Sequence, residues 1–145
     1  MKKRSRRHGH YFLEQRGLKH VGNETNMQRD PRAPTWRKER FKYGYDERFT
    51  WSLDYSMYLV MYETLCYYKM EAEKYVDLTH HTFELSKGKM NQIEAMDYLI
   101  EEFYWLASSA VDEMCLATGE DYEKLEERRM NIITDYGKVL PALWW

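Results

Sequence analysis

The chain has few of the residues and motifs on which several common protein classes depend. It contains only two cysteines, Cys66 and Cys115, and both lie in apolar segments with a helical pattern. This favours small buried side chains in a reducing compartment over a disulfide. Neither cysteine has a neighbouring histidine, and the sequence has no Gly-x-Ser-x-Gly elbow and no Gly-rich phosphate loop. These absences argue against nucleophilic catalysis and against a phosphate loop.

The chain also has no apolar run long enough to cross a membrane. Its most apolar stretch, residues 43–68, is interrupted by Asp54 and Glu63, whereas a membrane span needs about 20 mainly apolar residues. The N-terminal residues are basic and have no apolar core, so they do not form a secretory signal. The sequence therefore predicts a cytoplasmic protein with no membrane partner.

Charge is divided unevenly along the chain. Residues 1–48 hold 14 Lys or Arg and 6 Asp or Glu, a net charge of +8. Residues 49–145 hold 8 Lys or Arg and 18 Asp or Glu, a net charge of −10. A run of positive charge attracts RNA, DNA or an acidic protein face, mainly through counterion release. The alternatives are a solvated tail, or packing against the acidic remainder of the same chain or of a second subunit. A homo-oligomer is therefore one expectation.

We divide the chain into a basic N-terminal arm, residues 1–42, and a helical domain, residues 43–145. The arm has little hydrophobic periodicity and contains Gly17, Gly22 and two prolines, which predicts a long irregular segment. The predicted nucleic-acid-binding residues are Lys2, Lys3, Arg4, Arg6, Arg7, Arg37, Lys38 and Arg40.

Hydrophobic periodicity in the remainder predicts an all-α fold. Apolar side chains cover most sides of residues 53–68, which indicates a buried central helix that begins near Thr50 or Ser52. The pattern continues to about residue 77, and a polar turn follows at residues 80–88.

Two more helices are predicted beyond that turn. Asn91 and Glu94 have the spacing of a capping box at the start of one, and the other covers about residues 120–136. No strand pattern is found. The prediction is a small bundle of three main helices around a buried central helix, with a long irregular N-terminal arm.

The best candidate binding site lies at the start of the central helix. There, backbone N–H groups favour an anion, an arginine can bind a phosphate or carboxylate, and aromatic rings can stack on a base. The alternative is structural: Arg48 pairs with Asp54 or another acid and Trp51 covers the core. The predicted ligand-binding residues are Tyr43, Tyr45, Arg48, Trp51 and Asp54.

Metal sites are weighed and not predicted, and no cofactor is expected. Glu73, Asp77 and His81 share one face if the central helix continues, but a second helix offers no matching ligand set. The acidic pairs Glu101–Glu102 and Asp112–Glu113 resemble the Mg²⁺ ligands of all-α nucleotide pyrophosphohydrolases. Adjacent acids do not easily face one ion, so the sequence leaves open whether these pairs bind metal.

Three segments carry a resemblance to a known family. YGYDERFTWSLDYSMYLVMYETL is similar to the Gly-aromatic-Asp and Trp-x-Leu-Asp segment of a family of small uncharacterised tailed-phage proteins. AMDYLIEEF and the ending DYGKVLPALWW resemble that family's second helix and closing Leu-Trp, so the likeness covers about residues 36–145. The chain departs from the family in its Tyr-rich continuation and basic arm. The resemblance implies phage origin, an all-α fold and the cytoplasm of an infected bacterium, but no reaction.

These observations lead to one leading hypothesis and two alternatives. The leading one is a non-enzymatic phage accessory or host-takeover protein that binds a phosphate-bearing partner, either nucleic acid or a nucleotide signal of host immunity. The first alternative is an inhibitor of a host defence protein, or a virion component whose arm wraps a neighbouring subunit. The second is an Mg²⁺-dependent nucleotide hydrolase.

Overall fold

The computed structural model describes residues 30–43 and 45–144. The chain divides into two compact units, Met1–Val60 and Met61–Trp145. Five of the predicted nucleic-acid-binding residues lie outside the described residues, so for them the prediction stays a prediction: Lys2, Lys3, Arg4, Arg6 and Arg7.

The described part of the first unit begins with a helix, α1, that spans Ala33–Tyr43. Residues 33–42 were predicted to be part of an irregular arm, and that prediction is wrong. The Asp30 carboxylate accepts a hydrogen bond from the backbone N–H of Arg32 at 2.8 Å, which turns the chain into the helix. Pro34 stands in the first helical turn, where a missing N–H costs little. A proline there marks a helix start and not an irregular segment.

A 3₁₀ helix, Glu47–Thr50, precedes the long helix α2, Leu53–Ala72. The prediction of a helix in this stretch is confirmed, with its start at Leu53, directly after Ser52, but the helix ends before the predicted residue 77. The backbone N–H groups of Tyr75 and Val76 both bond to the carbonyl of Ala72, at 3.0 Å each, in a terminal turn. The apolar surface of α2 is only partly buried, because four of its large side chains are exposed: Leu53, Met57, Tyr67 and Met70.

The second unit contains a β-hairpin that the sequence reading missed. Strand β1, Thr82–Leu85, pairs antiparallel with strand β2, Gly88–Asn91, in the register Thr82↔Asn91 to Leu85↔Gly88. The prediction of a polar turn without strands is therefore wrong. Ser86 and Lys87 form a two-residue loop, and Gly88 follows it with φ +116°, a conformation that side chains rarely adopt.

Three helices follow the hairpin: α3, Gln92–Ser108; α4, Ala110–Leu116; and α5, Glu120–Val139. The predicted capping box at the start of α3 is confirmed, because the Asn91 side chain accepts from the Glu94 N–H and Glu94 accepts from the Asn91 N–H, both at 2.9 Å. The predicted last helix is confirmed but extends three residues farther, and a 3₁₀ turn, Leu140–Ala142, follows it.

Helices α3 and α5 form the main core of the second unit. Buried side chains on α3 recur three or four residues apart, as a helix packed along one face requires. Phe103 meets Tyr136 of α5 edge to face, with ring centroids 5.2 Å apart. The described fold is thus mostly helical with one small hairpin. None of the described helices is both long and apolar enough to pass through a membrane.

Candidate functional site

Arg48, a predicted ligand-binding residue, is buried and paired within its own chain. Its side chain is 2% exposed. Its Nε donates to Asp46 Oδ1 at 3.0 Å and its Nη2 donates to Asp46 Oδ2 at 2.7 Å. The Arg48 backbone N–H also donates to Oδ1, at 3.0 Å, so Asp46 caps the 3₁₀ helix and neutralises the guanidinium. This geometry supports the alternative in which Arg48 anchors the turn.

Trp36 joins that turn to α1. The guanidinium carbon atoms of Arg48 and Arg32 lie 4.7 and 4.8 Å from the centre of its ring. Its Nε1 donates to Glu47 Oε2 at 3.2 Å, and Trp51 meets the ring edge to face at 5.8 Å. Cation–π pairs contribute about 0.5–2 kcal/mol each, more when desolvated. Trp51 therefore belongs to the same structural anchor, although half of its own surface is exposed.

Tyr43 and Tyr45 lie at the surface as a ring pair. Their centroids are 6.3 Å apart, and Phe49 extends the series at 5.5 Å from Tyr45. A cavity of about 220 Å³ opens beside them. Asp46 in its lining is already paired with Arg48, and the carboxylates of Glu39 and Glu47 disfavour a phosphate and suit a cation or the amino group of a base. Asp54 is likewise acidic and is exposed in the first turn of α2. The cavity is lined by Glu39, Tyr43, Tyr45, Asp46 and Glu47.

Helix α1 turns a basic face to solvent. At about 100° per residue, positions 37, 38, 41 and 42 fall on the side of the helix opposite Trp36. All four side chains are exposed, Phe41 to 76%. We call Arg37, Lys38, Phe41 and Lys42 the outer face of α1. The Lys42 Nζ also lies 4.8 Å from the centre of the Tyr43 ring. Arg40 lies in the same helix.

In the second unit, the buried carboxylate of Asp135 holds the hairpin loop against α5. Its two oxygens accept from the Ser86 backbone N–H at 3.1 Å each, and Oδ2 accepts from Ser86 Oγ at 2.5 Å and from Tyr98 Oη at 3.1 Å. Lys138 Nζ lies 3.6 Å from Oδ1. Burial raises the pKa of Tyr98 to about 12, and the negative charge of Asp135 adds to this effect. The tyrosine therefore stays a neutral donor.

Glu102, also buried, holds two cations. Arg128 donates to it through Nε at 2.7 Å and Nη2 at 3.0 Å, and Lys87 donates through Nζ at 3.0 Å. Burial alone raises the pKa of Glu102, but the hydrogen bonds and charges of the two cations outweigh it and lower that pKa. Arg128 lies 3.8 Å from the centre of the Trp105 ring, and Lys87 lies 4.7 Å from that of Tyr98.

These two networks border a cleft of about 210 Å³ between the hairpin loop and α5. We call it the hairpin cleft. It is lined by Ser86, Lys87, Tyr98, Lys124, Glu127, Arg128 and Asn131.

The suggested metal ligands Glu73, Asp77 and His81 do not share a helical face, because α2 ends at Ala72. Asp77 lies instead 3.1 Å from His80 Nε2 in an exposed pair. Within residues 30–43 and 45–144, no group of three or more His, Cys, Asp or Glu side chains is placed to hold a metal ion.

The two acidic pairs, Glu101–Glu102 and Asp112–Glu113, differ in how far they are buried. Glu101 is exposed while Glu102 is buried beneath its two cations, so the neighbouring carboxylates do not face one ion. Asp112 and Glu113 are both exposed in the first turn of α4.

The sequence reading missed the roles of Asp135 and Glu102, although a signal was present. Each falls in the register of a buried stripe, Glu102 between Leu99 and Leu106 and Asp135 three residues after Ile132. A carboxylate at a core position is buried only when cations or hydrogen-bond donors surround it. Comparison of the chain with protein-family models, curated proteins and solved structures gives no match.

Proposed function

We propose that the protein is a non-enzymatic binder of a phosphate-bearing partner, and that this partner is single-stranded nucleic acid. The observation that carries the proposal is the outer face of α1, where three exposed cations share one side of the helix with an exposed Phe41. Proteins that bind single strands combine cations that follow the backbone with aromatic rings on which bases stack. The five Lys and Arg residues among residues 1–10 add positive charge to the same unit.

In this proposal the residues of the predicted cluster have different roles. Tyr43 and Tyr45 stack on bases beside the outer face of α1, and the carboxylates of Glu39 and Glu47 accept hydrogen bonds from base amino groups. Arg48 and Trp51 position this surface through Trp36 and do not contact phosphate. The burial of Arg48 against Asp46 supports that division.

Fluorescence anisotropy with labelled single-stranded RNA and DNA at low salt tests the proposal. We expect the double variant Arg37→Gln/Lys38→Gln to bind about tenfold more weakly or worse, because two phosphate contacts are lost. Phe41→Leu keeps an apolar side chain but removes the ring, and stacking is worth about 1–3 kcal/mol per base. The matched control is Lys74→Gln/Lys89→Gln, which makes the same charge change on exposed residues of the second unit. Equal binding by the control and the test variants contradicts the proposal.

Deleting residues 1–10 measures how much the N-terminal arm contributes to nucleic-acid binding. The deletion removes five Lys or Arg, so binding weakens in low salt and its salt dependence becomes shallower. Unchanged binding removes the arm from the proposal and leaves the outer face of α1 as the contact.

The second candidate is binding to a host or phage protein. It is favoured by apolar side chains that α4 leaves in solvent, Leu116 at 86% and Val111 at 57% exposed. Absence of nucleic-acid binding in low salt, together with a loss of partner binding in Leu116→Ser, favours this candidate. Turnover of a nucleotide with Mg²⁺ is the outcome that favours the hydrolase alternative.

The resemblance to tailed-phage proteins supports a further part of the proposal. We propose that the protein is of phage origin and acts in the cytoplasm of the infected bacterium. We also propose that residues 61–72 of α2 pack with α3 and α5 as the three main helices of one bundle, because Ala72 clusters with Met96 of α3 and the Tyr62 and Tyr104 rings lie 5.4 Å apart.

A further inference from the structure

The hairpin cleft gathers positive charge in an acidic part of the chain. Residues 61–145 hold 8 Lys or Arg and 17 Asp or Glu, yet three of those eight cations line this one cleft. Lys124 and Arg128 are one helical turn apart on α5, with Asn131 next on the same face, and Lys87 comes from the hairpin loop. Glu127 is the one carboxylate residue in the lining.

Two of these cations are held in place before any ligand arrives. Glu102 fixes Lys87 and Arg128 through the three hydrogen bonds described above, and each also lies against an aromatic ring. Arg128 has five N–H donors, and Glu102 accepts from two of them. Lys87 has three N–H donors, and Glu102 accepts from one of them. Donors fixed in this way lose less conformational entropy when they bind an anion. Asp135 fixes the loop that carries Lys87.

The size of the cleft limits what it can enclose. Its volume of about 210 Å³ corresponds to about seven water molecules at about 30 Å³ each. Pockets that bury a whole drug-sized ligand run to about 300–1,000 Å³. The cleft therefore has room for one small charged group, and the rest of a larger ligand would lie outside it.

We propose that the hairpin cleft binds the phosphate group of a small molecule, inorganic phosphate or a phosphomonoester. Lys87, Lys124 and Arg128 supply charge and N–H donors, and Asn131 supplies an amide donor. Glu127 opposes the ligand, so its charge reduces the affinity. This site lies in the second unit and is separate from the outer face of α1.

Isothermal titration calorimetry of the full-length protein with inorganic phosphate and with AMP, at one low NaCl concentration, tests the proposal. Lys124→Gln should bind both probes about three- to tenfold more weakly, because it removes one charge at a partly solvated site. Glu127→Gln should bind them tighter by a similar factor. Both residues are exposed, and the ion pair of Lys124 with Glu120 at 3.8 Å lies at the surface, so we expect the fold to be retained. Lys89→Gln, the same charge change on an exposed residue outside the cleft lining, should bind like the unmodified protein.

Three outcomes overturn the proposal. One is no binding of either probe by the unmodified protein, and another is equal affinity of Lys124→Gln and Lys89→Gln. The third is binding of AMP without binding of inorganic phosphate, because recognition then depends on the nucleoside. Arg37→Gln/Lys38→Gln should keep its phosphate affinity, and Lys124→Gln should keep its nucleic-acid affinity. Failure of the nucleic-acid proposal and failure of this one are therefore distinguishable.

Discussion

Replacing Asp135 by alanine removes the acceptor that joins the hairpin loop to α5. Three donors lose their partner at once: the backbone N–H and hydroxyl of Ser86 and the hydroxyl of Tyr98. Asp135 is 1% exposed and Tyr98 is 8% exposed, so water does not easily replace the carboxylate as partner of the tyrosine, whereas Ser86 is exposed and can bond to water. We expect the second unit to lose a large part of its stability.

The magnitude follows from the hydrogen bonds that are lost. A hydrogen bond to a charged group contributes a net of about 1.5–3 kcal/mol. The three bonds share one carboxylate and are not additive, and the two from Ser86 can be replaced by water. The net loss for Asp135→Ala is therefore about 2–4 kcal/mol. In a unit of this size each kcal/mol lowers the melting temperature by about 4–8 °C.

Urea unfolding followed by circular dichroism and tryptophan fluorescence measures this loss. The matched control is Thr134→Ala, which changes the exposed neighbour on the same helix and should alter the free energy of unfolding by less than about 0.5 kcal/mol. Ser86→Ala and Tyr98→Phe should each lower the free energy of unfolding by a part of the amount lost in Asp135→Ala. When either is combined with Asp135→Ala, the total loss should be smaller than the sum of the two single losses. A loss below about 1 kcal/mol for Asp135→Ala refutes the reasoning.

Three further predictions follow from buried polar groups. Asp46→Ala should cost about 3–5 kcal/mol in thermal or urea unfolding, because it leaves the Arg48 guanidinium buried without its carboxylate, whereas Asp46→Ala/Arg48→Met should cost much less. Because the pKa of Tyr98 is raised to about 12, its stabilising contribution is complete below pH 10 and is lost as pH rises toward 12. An ultraviolet titration should lose its highest step in Tyr98→Phe, and an unchanged titration contradicts this assignment. Because the pKa of Glu102 is lowered, its contribution is complete above its ordinary value of 4.5 and is lost as pH falls below it. Acid unfolding of Glu102→Gln should depend less on pH in that range, and an identical pH dependence counts against the network.

The helices could be predicted because their signals are local. The capping box of Asn91 and Glu94 lies within four residues, and the apolar register of α5 is set by its own spacing. The hairpin was harder, since each strand has only four residues and alternation over that length is weak. Its loop signal, Gly88 after Ser86 and Lys87, lies within the segment that the sequence predicts only as a polar turn.

The candidate sites could be predicted only in part, because burial and pairing depend on distant residues. An arginine beside exposed tyrosines resembles an anion receptor in sequence, and only its burial against Asp46 shows that it is an anchor. The hairpin cleft joins Lys87 to Arg128, residues 41 positions apart in the chain. No pattern within a short stretch of sequence predicts that two such distant residues lie close together in the fold. Arg37 and Lys38 were predicted as nucleic-acid-binding residues, but the helix that carries them was not predicted, because glycines and prolines in the arm favour an irregular segment.

The most direct test of the nucleic-acid proposal is the salt dependence of oligonucleotide binding. For single strands the logarithm of the binding constant falls with the logarithm of salt concentration by about 0.7 for each phosphate contact. Arg37→Gln/Lys38→Gln should therefore reduce the slope by about 1.4, while Lys74→Gln/Lys89→Gln leaves it unchanged. An identical slope for all three proteins, or no binding in low salt, contradicts the claim that the outer face of α1 contacts phosphate.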